Sequence, residues 1–188
     1  MKTVSLILRS AAAVCFAFVM SSASCDLFDK VDDVTIDVTL EHTFHVDEKL
    51  DADNVAYLDF EILDAADVNS DFAKYKDKIK SISVSSVTYE VQNHTVGTGT
   101  IFTNGKIGYS PANATSVSVV AALSVANIKA AEGQVLNLPF QQAGLDEIGN
   151  LLKNDKTVGL YLIGTFSETP VKFDVKVKLK CAMTADAL

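Results

Sequence analysis

Along residues 34–46 the apolar side chains fall on even positions, Val34, Ile36, Val38, Leu40, Phe44 and Val46 with His42 among them. Thr35, Asp37, Thr39, Glu41, Thr43 and His45 take the odd ones. A period of two predicts a strand with one buried face. The same phase returns at Ala56, Leu58, Phe60 and Ile62 against Tyr57, Asp59 and Glu61, which predicts a second strand burying its even side. Near the C-terminal end, Val171, Phe173, Val175, Val177, Leu179 and Cys181 alternate with Lys172, Asp174, Lys176, Lys178 and Lys180. A mostly apolar run over residues 158–166 precedes them, and Glu168-Thr169-Pro170 reads as the turn of a hairpin joining the two. The acidic outer face of the first strand and the lysine-rich outer face of the last suit neighbouring places in one sheet, since opposite charges attract across strands.

Between these strands, Asn69-Ser70 offers an N-cap, and Phe72, Tyr75 and Ile79 recur at helical spacing, predicting a short amphipathic helix. Apolar positions then run Ile82, Val84 and, after Ser85-Ser86, Val87, Tyr89, Val91. A period-two element changes face only by inserting a residue, so a β-bulge is expected at the two serines. Asn104-Gly105, between residues 98–103 and 106–110, predicts a hairpin with a type I′ turn. Val117, Val119, Ala121, Leu123 and Val125 alternate, but Val120 and Ala122 make the other face apolar too, as in a central strand. Leu145, Ile148, Leu151 and Leu152 predict a second helix, ended by Asn154. The expected fold is mostly β: an antiparallel β-sandwich, immunoglobulin-like or related, of about eight strands with two short helices over residues 34–188.

The N-terminal end follows a different pattern. Lys2 and Arg9 precede an uncharged run over residues 11–20, and then come Ser21-Ser22-Ala23-Ser24-Cys25. That order matches the basic, apolar and cleavage regions of a signal peptide. The ending Ser22-Ala23-Ser24-Cys25 resembles a bacterial lipobox, with Ser22 standing where Leu is usual. The resemblance implies a thioether-linked lipid on Cys25 and cleavage just before it. With its acidic leader, residues 26–33, the chain resembles the small Bacteroidota lipoproteins of undescribed function. The resemblance implies a signal peptide at 1–24, a lipidated tether at 25–33 and an outer-membrane location, facing the periplasm or the cell surface.

Processing at Cys25 sharpens the charge. All 24 acidic residues follow that cysteine but only 14 of the 16 basic ones do, a net −10, and the one arginine is lost with the leader. A chain this acidic, with no guanidinium to fork onto phosphates or base edges, is not built for nucleic acid. Cys181 would be the one thiol left besides Cys25, so no intramolecular disulfide is available.

Candidate chemistry is sparse. No G-x-S-x-G, P-loop, H-E-x-x-H or C-x-x-C signature occurs. His42 and His45 are three apart, which on a strand places them on opposite faces, His42 satisfied in or near the core and His45 solvated. Asp47, Asp51 and Asp53 in the first connection and Asp64, Asp67 and Asp71 in the second supply hard oxygen ligands suited to Ca²⁺, without the spacing of an EF-hand loop. Cys181 falls on the buried face of its strand, as a structural thiol does. Gly97-Thr98-Gly99 lacks the third glycine of a nucleotide fingerprint, and the sequons at Asn93 and Asn113 carry no weight in a bacterial lipoprotein. These observations predict a non-enzymatic, lipid-anchored module of the cell envelope that binds or supports, with no cofactor. The alternatives are a carrier of an apolar ligand and a hydrolase whose carboxylates the fold gathers.

Overall fold

The computed structural model describes residues 33–114, 119–123 and 127–187. The chain divides into two units, Met1–Val34 with Asp186–Leu188, and Thr35–Ala185; the second is the β domain. Its elements in order are β1 (Asp33–Asp64), α1 (Ala65–Val68), α2 (Ser70–Tyr75), β2 (Ile79–Val96), β3 (Phe102–Ser110), β4 (Val119–Ala122), α3 (Ile128–Ala131), β5 (Val135–Asn137), α4 (Gln142–Asn154) and β6 (Thr157–Asp186). The fold is mostly β and antiparallel, as the alternation predicts, with fewer and longer strands than expected and four short helices where two were expected.

Two strands of about thirty residues organise the sheet. β6 pairs antiparallel with β2 from Ile79↔Ala185 to Val96↔Lys172, and then with β3 from Phe102↔Phe166 to Ser110↔Gly159. On its other side it pairs with β1. β5 joins β2 at one end of the order and β4 joins β3 at the other. β2 and β3 therefore line β6 end to end, joined by a tight turn in which Gly97 has φ +82° and Thr100 N–H donates to Gly97 O at 3.1 Å.

The hairpin expected at Glu168-Thr169-Pro170 does not form. β6 runs through this junction, with a cis peptide between Thr169 and Pro170. The Thr169 hydroxyl donates to the carbonyls of Leu50 and Ala52, so β1 follows β6 across the bend and no reversal occurs. Asn104-Gly105 is likewise a bulge. Only Asn104 of the pair has positive φ, 53°, and the two residues together oppose Gly164 between Thr103↔Thr165 and Lys106↔Ile163. The expected bulge at Ser85-Ser86 is present: Val84 pairs with Cys181 and Ser86 with Lys180, leaving Ser85 extra, its hydroxyl donating to Lys180 O.

Bulges bend strands and increase their twist, and here they curl the sheet on itself. Ala65 N–H donates to Lys156 O at one end of the ribbon, yet Asn69 Nδ2, four residues on, reaches Thr39 O at 3.3 Å. A straight strand from Thr39 to Ala65 would span about 85 Å. The curl brings the two halves face to face, as in a sandwich, over a single core. Phe102 and Phe166 stack at 4.7 Å, Phe173 meets Phe166 edge-on at 5.9 Å, and Tyr57 tilts against Phe166 at 5.2 Å. From Val171 to Ala185 every second residue of β6 is buried, each large side chain contributing about 1.5–3 kcal/mol to folding.

Charges set the register of β1 on β6. Glu41 bridges Lys176 at 2.5 Å and Lys178 at 3.2 Å, Asp47 meets Lys172 at 3.2 Å, and His45 Nδ1 lies 2.8 Å from Asp174 Oδ1. The acidic and lysine-rich faces are thus neighbours, as their charges predict. Pairs this exposed contribute at most about 1 kcal/mol each, so they select the register more than they hold the fold.

Two further expectations are corrected. Among the described residues β4 pairs with β3 alone, at the end of the sheet order and not at its centre; the rest of the predicted segment, residues 117–118 and 124–125, lies outside the described residues. The even positions 56–62 are not buried. Leu58 is 65% exposed, Phe60 38% and Ile62 49%, while Tyr57 and Leu63 join the core. The cause is Asn54, whose φ of +55° shifts the strand's facing by one residue. The apolar phase of the sequence stays even on both sides of Asn54, so the second stripe is turned out to the surface.

The predicted helices form with the expected cap on the first: Asn69 Oδ1 accepts from Phe72 N–H at 2.9 Å. α4 lies against β2, close enough that a Cβ on Gly149 would sit 2.6 Å from Ile82 O. It ends at Asn154, but the left-handed residue after it is Lys156, φ +63°.

Candidate functional site

The curl gives the inner face of β1 one polar patch. Val38, Leu40, Phe44 and Val46 are buried on that face, and His42 sits among them, its ring edge-on to Phe44 at 5.0 Å. Past Asn54 the inward positions become odd, so Tyr57, Asp59 and Glu61 share the side of the strand that carries Leu63. The carboxylates of Glu61 and Asp59 act electrostatically on His42, although eighteen or so residues separate them in the chain. Tyr57 Oη donates to Asp59 Oδ2 at 3.3 Å.

Each group is tuned by where it lies. Burial is the largest influence on His42 and holds its pKa below the ordinary imidazole value, with Glu61 and Asp59 opposing it. His42 Nε2 is buried and has no hydrogen-bond partner, so this histidine is not the satisfied one expected from sequence. Burial and the nearby carboxylates of Asp59, Glu48 and Glu61 push the Tyr57 phenol well above its usual range, keeping it a donor. A neutral imidazole, a phenol and two carboxylates can exchange hydrogen bonds with a polar group. They contain no activated nucleophile.

The folded pKa of His42 lies below the unfolded one, so its contribution to stability is whole above the imidazole range and is lost as pH falls through it. Between about pH 7 and about pH 5 the Tm of the wild type is expected to fall more steeply than that of His42→Phe. Glu41 and Asp174, held low by Lys176 and by Asn93 with His45, add losses of the same sign further down, in the carboxylate range. Parallel Tm curves for the two proteins over the imidazole range would contradict this account of His42.

The remaining sequence candidates stand apart. Asp47 is matched by Lys172 and Lys49 on the wall of an open groove of about 260 Å³. Asp51 and Asp53 are exposed on β1; Asp64 caps α1 through Ala66 N–H, and Asp67 and Asp71 lie in the first turns of α1 and α2. Among the described residues no three His, Cys, Asp or Glu side chains are grouped to hold a metal ion. His45 is exposed on the outer face beside Asp174. Cys181 is buried and its thiol is pushed up to about 12, the state of a structural cysteine. Asn93 Nδ2 donates to Asp174 Oδ2 at 2.6 Å. Beneath Leu123 and Ile128, where apolar residues line the inside of the curl, the cavity is about 10 Å³, the room of a single water. Cys25 lies outside the described residues.

Sequence reasoning missed that Tyr57, Asp59 and Glu61 lie on the Leu63 side of the strand, Tyr57 and Asp59 half-buried and Glu61 exposed, because they alternate with apolar neighbours that look like the core face. It also missed His94, which is buried in the bulge of β2, its Nε2 3.1 Å from Gly97 O and its backbone N–H donating to Glu132 Oε1. His94 pins the turn that leads β2 into β3.

No protein-family model and no curated protein matches the chain. Among solved structures the chain is similar to turnip yellow mosaic virus, at 12% identity over 80% of this chain and 96% of that one, with a TM-score of 0.34. It is similar to the decameric BFDV capsid protein at 11% identity over 80% and 98%, TM-score 0.38. Desmodium yellow mottle tymovirus gives 10% identity over 82% and 90%, TM-score 0.34. Likenesses this distant carry no argument about function, and the fold rests on its own sheet: a curled, antiparallel, mostly β domain.

Proposed function

We propose that the chain is a lipid-anchored, non-enzymatic module of the cell envelope, held at the outer membrane through Cys25 and presenting its β domain for binding or support. The observation that carries this reading is the sequence Ser22-Ala23-Ser24-Cys25 at the end of an uncharged run. The acidic residues of 26–33 make a spacer between the lipid and the domain, and they resemble the surface-export signal of Bacteroidota lipoproteins. Among the described residues no helix is long and apolar enough to cross a membrane. Among the described residues the apolar-lined cavity beneath Leu123 and Ile128 holds about 10 Å³, against about 300–1,000 Å³ for ligand pockets, which favours binding over carriage of an apolar ligand.

Metabolic labelling with an alkyne-tagged palmitate analogue is expected to mark the wild type and to leave Cys25→Ala unmarked. Equal labelling of the two proteins would remove the anchor from this reading.

A further inference from the structure

The outward stripe of β1 lies on an open sheet edge. Among the described residues β1 pairs with β6 alone, so its other side carries backbone groups without a strand. Phe60 N–H donates to the carboxylate of its neighbour Asp59 at 2.8 Å, which places that N–H on the open side, away from the ladder. In an antiparallel ladder alternate residues share a side, so Leu58, Phe60 and Ile62 turn their N–H and C=O groups to the same edge. Their side chains form an exposed apolar row, with Phe60 laid over Tyr161 at 4.6 Å and across Gly159.

The opposite face of the same stretch is acidic. Residues 50–73 contain seven carboxylates and no lysine or arginine; five of the seven, Asp51, Asp53, Asp59, Glu61 and Asp64, are on β1, and Asp59 and Glu61 alternate with Leu58, Phe60 and Ile62 on the opposite face. The β6 residues across from this part of β1, around Tyr161, include no cation to neutralise them. A strand added at the edge would set its side chains alternately beside Leu58, Phe60 and Ile62 on one face and beside Asp59 and Glu61 on the other. Apolar residues match the first and cations the second. A second copy of the chain would bring carboxylates against carboxylates, which the charge disfavours.

We propose that this edge of β1 receives an extended segment of a partner protein in which apolar residues alternate with lysine or arginine. Main-chain hydrogen bonds hold the segment, and the two faces of β1 select its sequence. The Asp59 carboxylate now on Phe60 N–H gives way to a carbonyl of the incoming strand and turns to its cation. The proposal names a partner class for the binding reading above and does not depend on the lipid.

The test is fluorescence anisotropy of a labelled nonapeptide of alternating lysine and valine, titrated with the full-length chain in mild detergent and read against protein-free micelles. Saturable binding is expected, weakened at least tenfold in Leu58→Ser/Ile62→Ser and unchanged in Val135→Ser, an exposed apolar residue of β5. A peptide with serine in place of valine is expected to bind at least tenfold more weakly to the wild type. Equal binding of the two peptides would reduce the contact to charge and overturn the proposal, as would no binding at all. Concentration-dependent dimerisation abolished by the double variant, without peptide binding, would place a second copy on the edge and also overturn it. Palmitate labelling at Cys25 is read separately, so either idea can fail while the other stands.

Discussion

Phe166→Ala is expected to lower the free energy of unfolding by about 4 kcal/mol in equilibrium urea denaturation. Phe166 is fully buried at the bend of the sheet, where β6 passes from β3 to β2. Its ring touches Phe102, Tyr57 and Phe173, one aromatic each from β3, β1 and the far half of β6. Truncation loses the transfer free energy of the ring, leaves a cavity between the two halves of the curl, and breaks three aromatic pairs of about 0.5–1.5 kcal/mol each that overlap with the burial term. The surroundings resist collapse because Phe102 is itself wedged over Gly164 and Gly105. A domain of this size holds about 5–15 kcal/mol in all, so the loss removes between about a quarter and most of its stability. Phe166→Leu, which keeps most of the volume, is expected to lose about half as much or less. A loss below about 1 kcal/mol for Phe166→Ala would mean that the two halves do not share one core.

Gly149→Ala is expected to destabilise by about 2 kcal/mol, against the usual sign for such a change. In an exposed helix interior the substitution gains about 1 kcal/mol, because alanine has less backbone freedom to lose. Here the new Cβ would lie 2.6 Å from Ile82 O, a backbone atom held in the β2 ladder, so α4 must lift off the sheet. Lifting it also loosens Ile148 and Leu152, which are buried from the same helix. Asn150→Ala, one position along and exposed, serves as the control and is expected to be neutral or slightly stabilising. Thermal unfolding of the three proteins side by side checks the sign; a higher Tm for Gly149→Ala would show that α4 is not pressed against β2.

What could be read in the chain depended on whether a feature is coded locally. The alternation of β6, the bulge at Ser85 and the Asn69 cap each follow from a handful of adjacent residues, and each is present. Turn chemistry was locally legible too, but its outcome was not. Asn-Gly and a proline after polar residues fit a reversal or a bulge equally well, and the neighbouring strand decides which forms. At Asn104 the neighbour is β6 running past, and at Thr169 it is β1, so both sites bend without reversing. Asn54 is the costliest omission. Because the apolar phase does not change there, nothing in the pattern marks the flip of face that exposes Leu58 and turns Asp59 inward. The polar patch around His42 was half legible: its face followed from alternation, but its unpartnered Nε2 and the carboxylates opposite exist only because the ribbon curls. Cys25, by contrast, is a linear signal outside the described residues, and its lipid is proposed from the sequence alone.

The central claim, a β domain held by lipid, is tested most directly by the intact mass of the protein extracted from the membranes of the cells that make it. The account predicts a chain that starts at Cys25 and carries the added mass of a diacylglyceryl thioether with or without an amide-linked acyl chain. An unmodified chain, or one retaining Met1, would contradict it.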